Sequence, residues 1–289
     1  MLGLGSSVSK TSKRSTANPL RIPNLVGWWD FTDASTMYSD DGSTRIANGE
    51  AIEQISNKAY RLQNSTHLAL GAFLQQGTSG RKPLWSSDNG GFATFDGSDD
   101  NMICKKIVAQ GAVATDKLSD TTLNATGMTI FFVAESAASG AVISEDAYLI
   151  HGKTTSSANH RFSVYVDDNS TTDRWQYHIQ DDSGRTNTLG NCGRNLTNDK
   201  ELWTVHLDST SANSIYLNNS PPLGISNGNS TNTDYDFSLD NVNVSFCIGG
   251  NDNNNNFKGK VYQVLIYDRA LSTAEQVTVN KYLIQRNKI

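Results

Sequence analysis

The chain has 289 residues, a formal net charge of −5, 18% charged residues and 37% hydrophobic residues. That length suits one large all-β domain or two small domains, and the hydrophobic share is too high for a disordered chain. No Lys/Arg-rich stripe interleaves with aromatics, which argues against a nucleic-acid partner, and no segment is long and apolar enough to span a membrane.

Residues 1–23 form a polar arm. Its apolar residues precede its charges and no h-region follows, so it does not read as a secretory signal. A soluble protein made in the cytoplasm is expected, and sequons at Asn64, Asn169 and Asn229 then carry no weight. Ordering such an arm costs about 1–2 kcal/mol per residue for the backbone alone. Leu2, Leu4 and Val8 offset that only by burial on another surface, and Lys10, Lys13 and Arg14 suit an acidic neighbour. The arm is therefore expected to be an assembly element in a homo-oligomer.

One domain is expected over residues 24–289. Trp28, Trp29 and Trp85 fall near its N-terminal rim. FATFDGSDDNM ends one strand at Phe95, turns at Asp96-Gly97 and starts another near Met102; a hairpin or bulged turn is expected, its aspartates accepting backbone hydrogen bonds. TIFFVA (129–134) is apolar on both parities, as a strand buried on both faces should be. RFSVYVDD places Phe162, Val164 and Val166 on one face and Arg161, Ser163 and Tyr165 on the other. DDNSTTD has the alternation of a calcium loop, with Asp167, Asn169 and Asp173 as ligand candidates. The EF-hand pattern, however, demands Gly and Glu where Thr172 and His178 stand. WQYHIQ and LWTVHLD alternate again, turning Trp175, Tyr177, Trp203 and Val205 inward and His178 and His206 outward.

VNVSFCIGG is a further half-buried strand, and NDNNNN a polar loop whose Asn253 and Asn255 could present amides to a sugar. VYQVLIY (261–267) reads as a second two-side-buried strand. STAE then sets a capping box, Ser272 at N-cap and Glu275 at N3. It opens a helix over 273–286, with Val277, Tyr282 and Leu283 as its apolar stripe. Many short strands with one terminal helix describe an antiparallel β-sandwich or jelly roll. Cys104, Cys192 and Cys247 form no CxxC pair and read as free thiols. His67, His151, His160, His178 and His206 lack metal-type spacing.

GWWDFTDASTMYSDDGSTRI, GRKPLWSSDNGGFATFDGSDDNM, TIFFVA, SIYLNN and FKGKVYQVLIYDRALSTAEQVTVNKYL together resemble the LamG-like, concanavalin A-like jelly-roll family. The resemblance runs from Trp28 to the C-terminus. Gln263 departs from it, standing where many members carry an acidic residue. The start MLGLGSSVSK resembles the N-termini of marine bacteriophage virion proteins. Glucanases on the same fold resemble one another in an E-x-D-x-E strand, and none of the six glutamates here (Glu50, Glu53, Glu135, Glu145, Glu201, Glu275) sits in one. No H-E-x-x-H or P-loop occurs either, so no enzyme activity and no cofactor are expected, calcium being the one ion left open.

Two readings follow. The first is a structural virion protein made in the host cytoplasm, decorating a capsid or tail and contacting other virion subunits through its arm. The second is a carbohydrate-binding or adhesion module for host glycans, with Trp28, Trp29, Trp85, Tyr235, Asn253 and Asn255 as its candidate sugar contacts. An exposed aromatic beside convergent Asn and Asp would favour the second.

Overall fold

The alternating segments become strands, and a computed structural model describes them over residues 18–60, 73–108, 112–114, 127–137, 147–154, 161–167, 174–180, 186–189, 197–208, 214–218, 244–250 and 255–289. In chain order they are β1 (Leu25–Asp30), β2 (Met37–Tyr38), β3 (Gln54–Ser56), β4 (Phe73–Gln75), β5 (Leu84–Ser86), β6 (Phe92–Asp96), β7 (Met102–Val108), β8 (Ala112–Ala114) and β9 (Gly127–Ser136). There follow β10 (Ala147–Thr154), β11 (Arg161–Asp167), β12 (Arg174–Gln180), β13 (Thr186–Leu189), β14 (Glu201–Asp208), β15 (Ser214–Leu217), β16 (Val244–Ile248), β17 (Lys258–Tyr267) and the helix α1 (Thr273–Asn287). The arm residues Leu2, Leu4, Val8, Lys10, Lys13 and Arg14 lie outside the described residues.

Two antiparallel sheets result. The first runs β15-β14-β9-β17-β6-β5, with β1 also on β17. The second runs β13-β12-β11-β10-β16-β7-β4-β3-β2, with β8 on β7. β17 is the axis of the first sheet: β9 pairs along one edge, while β6 and β1 share the other, one along each half. The all-β sandwich read from the alternation is the observed architecture.

Trp29, Phe132, Ile130, Val264, Ile266, Trp203 and Val205 of the first sheet meet Phe246, Ile248, Ile150, Val164, Trp175 and Tyr177 of the second in one core. Trp29 stacks on Phe246 at 5.0 Å between ring centroids. A second apolar layer lies on the other face of the first sheet. There Trp28, Phe131, Val133, Tyr262, Leu265 and Tyr267 are covered by Val279 and Leu283 of α1 and by Ile22. The molecule is thus three layers, helix on sheet on sheet. Hence β9 and β17 are apolar on both parities, because each has a core on either side.

The helix starts as its sequence directs. The Ser272 side chain accepts from the Glu275 amide, and Glu275 reaches back to the Ser272 amide at 2.9 Å. Its buried stripe differs from the expected one. Gln276, Val279, Asn280, Leu283 and Asn287 face the sheet, while Val277 and Tyr282 are half-buried beside it. Three of those buried residues are amides, and each makes at least one hydrogen bond, though Asn287 Oδ1 has no partner among the described residues. Asn280 accepts from Thr204 Oγ1 at 3.1 Å, Gln276 donates to the Leu271 carbonyl, and Asn287 donates to the Leu283 carbonyl. An apolar-only search misses such a stripe, because a satisfied amide can be buried at little cost.

The FDGSDD turn is not a hairpin. β6 belongs to the first sheet and β7 to the second, so the turn carries the chain across the sandwich. Gly97 takes φ +82°, and a Cβ there would lie 2.8 Å from the Lys258 Cβ, so glycine serves both the conformation and the space. Among the described residues no helix is long and apolar enough to cross a membrane.

Candidate functional site

β10, β11 and β12 are hairpin neighbours, and their inward residues Ile150, Val164, Val166, Trp175 and Tyr177 fill the core. Their alternate residues must therefore stand on the outer face of the second sheet. Tyr148, Tyr165 and Gln176 lie opposite one another in a single row across the three strands. The two tyrosine rings are 5.3 Å apart at 37°, and His151 meets Tyr148 edge-on at 4.8 Å.

Hydrogen bonds fix this row. The Tyr165 hydroxyl donates to Gln176 Oε1 at 2.8 Å, and Gln176 Nε2 donates to the Asp167 carboxylate. The Tyr148 amide donates to the Asn255 carbonyl at 3.0 Å, which joins the end of the asparagine-rich loop to the same strand. Tyr148, Gln176, Asp167, His178 and Asn255 are half-buried, so polar atoms and a ring meet solvent together. The next row, Cys247–His151–Ser163, is buried. The open part of the face is therefore Tyr148 and Gln176, with Tyr165 buried between them and His178 at the border.

The three indoles proposed for sugar stacking are elsewhere. Trp29 points into the inter-sheet core, Trp28 points the other way into the layer under α1, and Trp85 packs in the core with its Nε1 donating to the Phe31 carbonyl at 2.9 Å. All three are buried, so none offers a ring face to a saccharide. Two successive indoles can both be buried because the sheet that carries them is covered on both sides. Tyr235, Asn253, Asn169 and Asp173 lie outside the described residues. Asp167, put forward as a calcium ligand, accepts from Gln176 instead.

The WDFTDAST stretch is a structural knot. Asp30 is fully buried and accepts from the Thr32 amide and hydroxyl at 3.1 and 2.6 Å; Asp33 does the same for Ser35. Lys58 Nζ sits 2.6 Å from Asp30 and 2.7 Å from Asp33, and 5.0 Å above the Trp28 ring. Burial alone would lower the Lys58 pKa, but the two carboxylates outweigh it and the net shift is upward.

At the crossover turn, Asp96 Oδ1 accepts from the Ser98 amide at 2.7 Å and Asp100 Oδ2 accepts from the Asp96 amide at 2.9 Å. Asn256 Nδ2 donates to the Ser98 carbonyl, and Gln76 Nε2 holds Asn101. The aspartates thus accept backbone hydrogen bonds, as expected of a turn. Asp96, Asp99 and Asp100 also bring one oxygen each within 4.8 Å of the others. A hard divalent cation is the ion class such oxygens would hold. Burial pushes the Asp100 pKa up to about 6, and the charges of Asp96 and Asp99 add to it against the amide hydrogen bond.

The tyrosine row was only half legible. The alternation had already put Tyr165 and Gln176 on outward parities; an aromatic on a polar parity opposite a glutamine was the available signal. Tyr148 lies before a bulge between Tyr148 and Ile150, which breaks the parity count.

No family model and no curated protein matches this chain. Solved structures do resemble it. The binding domain of Paraclostridial Mosquitocidal Protein 1 is 15% identical with a TM-score of 0.54, over 92% of this chain and 53% of that one. The binding domain of Botulinum neurotoxin serotype D is 12% identical with a TM-score of 0.51, over 90% and 51%. The CBM40 of the Ruminococcus gnavus IT-sialidase, solved bound to alpha2,3 sialyllactose, is 13% identical with a TM-score of 0.39, over 55% and 84%. This chain spans about half the length of the two toxin chains. At these identities the likeness is one of fold alone, a β-sandwich.

Proposed function

We propose that the protein is a non-enzymatic binding module for a saccharide, and that the outer face of the second sheet is its contact surface. The observation that carries this is the Tyr148–Tyr165–Gln176 row. It sets the half-buried Tyr148 ring, backed by the buried Tyr165, beside a half-buried amide and carboxylate on a three-strand platform. A pyranose has apolar C–H faces and hydroxyls that both donate and accept. A ring with a polar tip, flanked by Gln and Asp, matches both. The toxin binding domains with a similar sandwich support a binding role at the level of the fold, which by itself does not assign a ligand. A virion placement rests on the arm, outside the described residues, and the reading does not need it.

A glycan array probed with the purified chain, followed by calorimetry on the retained sugar, tests the proposal. Tyr148→Ala and Gln176→Ala are each expected to weaken binding about tenfold or more, equivalent to about 1.4 kcal/mol. Strand content should not change. Retention of no glycan, or unchanged affinity in both variants, would refute it.

A further inference from the structure

A second charged cluster lies on the opposite side of the sandwich, where the helix layer ends. Lys200 immediately precedes β14, Glu135 is near the end of β9, Lys260 and Tyr262 are on β17, and Lys288 caps the C-terminus of α1. The contacts form one chain. Lys200 Nζ donates to the Asn287 carbonyl at 3.2 Å and sits 4.0 Å over the Tyr262 ring. The Tyr262 hydroxyl donates to Glu135 at 3.0 Å, and Glu135 pairs with Lys260 at 2.6 Å.

The charges do not balance. Glu135 is the one carboxylate in this chain of contacts, and it is already engaged by Lys260 and Tyr262. Among the described residues Lys200 has no carboxylate within ion-pair distance; its ammonium has one carbonyl and a ring face. An ammonium has three donors, so at least one remains to be used. Lys260 and Lys288 both bear on Lys200 electrostatically, and burial together with these cations holds its pKa below the ordinary lysine value despite Glu135. In a chain of net charge −5, this is a local positive field around a fixed donor.

We infer that Lys200, with Lys260 and Lys288, is an oxyanion subsite for the carboxylate or sulfate group of an acidic saccharide. It goes beyond the tyrosine-face reading, because it lies on the other sheet and stands whether or not that face binds sugar. Lys200 supplies the positioned donor, the other two lysines the field, and Tyr262 the ring floor beneath the ammonium. A sulfate ester and a uronate carboxylate offer the same oxygens to these donors.

Calorimetry on the full chain tests this with four probes: a heparin-derived hexasaccharide, a polygalacturonate fragment, neutral lactose and inorganic sulfate. Lys200→Met keeps an unbranched side chain of similar length and removes the charge; Arg45→Met, an exposed cation on the second sheet, serves as the charge control, and Tyr148→Ala reports on the tyrosine face. At least one acidic oligosaccharide is expected to bind, with affinity falling tenfold or more in Lys200→Met and unchanged in Arg45→Met. Lactose should leave the Lys200 side-chain NMR signal unmoved. The inference is overturned if Lys200→Met binds the acidic probes as the parent does, or if neither acidic probe binds. It is also overturned if inorganic sulfate at equal concentration displaces them completely, marking an adventitious ion only. Loss in Tyr148→Ala alone would place the ligand on the tyrosine face and equally overturn it.

Discussion

The two sheets are made of the same kind of strand but are used differently. The first is covered on both faces, by the second sheet and by α1, and even its polar residues are drawn into the packing: Asp30, Thr204 and Gln263 are all buried. The second sheet turns one face into the inter-sheet core, and over β10–β12 its other face carries Tyr148, Tyr165 and Gln176, with Cys247, His151 and Ser163 buried beside them. A strand covered twice has side chains to spare for a ligand only where the covering layer ends, as at Lys260 of β17. A strand covered once has every second residue free of the demands of the core. The buried interior of the first sheet and the tyrosine face of the second are therefore separate, and substitutions in that interior should leave the tyrosine face nearly untouched.

The largest test of this division is Lys58→Met. It leaves Asp30 charged and fully buried with its cation gone, and breaking a buried pair in that way costs about 3–5 kcal/mol. Denaturant melts should show that loss, while any saccharide affinity of the folded protein stays within twofold. A stable Lys58→Met protein would mean that the WDFTDAST knot is not what anchors the first sheet.

Asp100→Asn comes next. A carboxyl whose folded pKa is about 6 binds protons more tightly in the folded than in the unfolded chain. Stability should therefore be highest below pH 4 as far as this group is concerned, and fall as pH rises through about 6. Asparagine can still accept from the Asp96 amide, so the substitution should remove that slope and raise stability at pH 7 by about 1–2 kcal/mol, allowing for solvent screening. Melting curves between pH 4 and pH 8 decide it; a parent protein whose melting temperature rises across that range would contradict the sign. Millimolar calcium that raises the parent's melting temperature by many degrees but not the variant's would reassign the turn to metal binding.

A smaller effect is expected at the helix start. Arg269 in the first place, with Ser272, holds the Glu275 pKa at about 2. Its contribution is present above the ordinary carboxylate value and is lost as pH falls through about 2. Glu275→Gln should cost about 0.5–1 kcal/mol at pH 7 and nothing at pH 2. Equal destabilisation at both pH values would point to packing instead of charge.

The smallest effect is expected at Tyr177. Its hydroxyl is buried in the core without a hydrogen-bond partner among the described residues, and burial pushes its pKa up. Tyr177→Phe removes a desolvated polar atom and no bond, so the melting temperature should stay level or rise slightly. A marked fall would mean that the hydroxyl has a partner in solution.

The sequence by itself determined the elements. Period-two alternation gave the half-buried strands β11, β12 and β14, the doubly apolar runs gave β9 and β17, and Ser272–Glu275 gave the helix start, because these signals are local and each strand or cap satisfies them within a few residues. Only the tertiary structure decided which layer each element joined. FATFDGSDDNM reads as a hairpin locally, yet crosses between sheets, since pairing partners are fixed by contacts far apart in sequence. Trp28 and Trp29 are successive residues of one strand and must face opposite sides, yet both are buried, because α1, more than 240 residues later, covers the outer face. The tyrosine row escaped the sequence for the same reason: Tyr148, Tyr165 and Gln176 become one surface only when three strands pair in register, and a bulge beside Tyr148 hides its parity from any count along the chain.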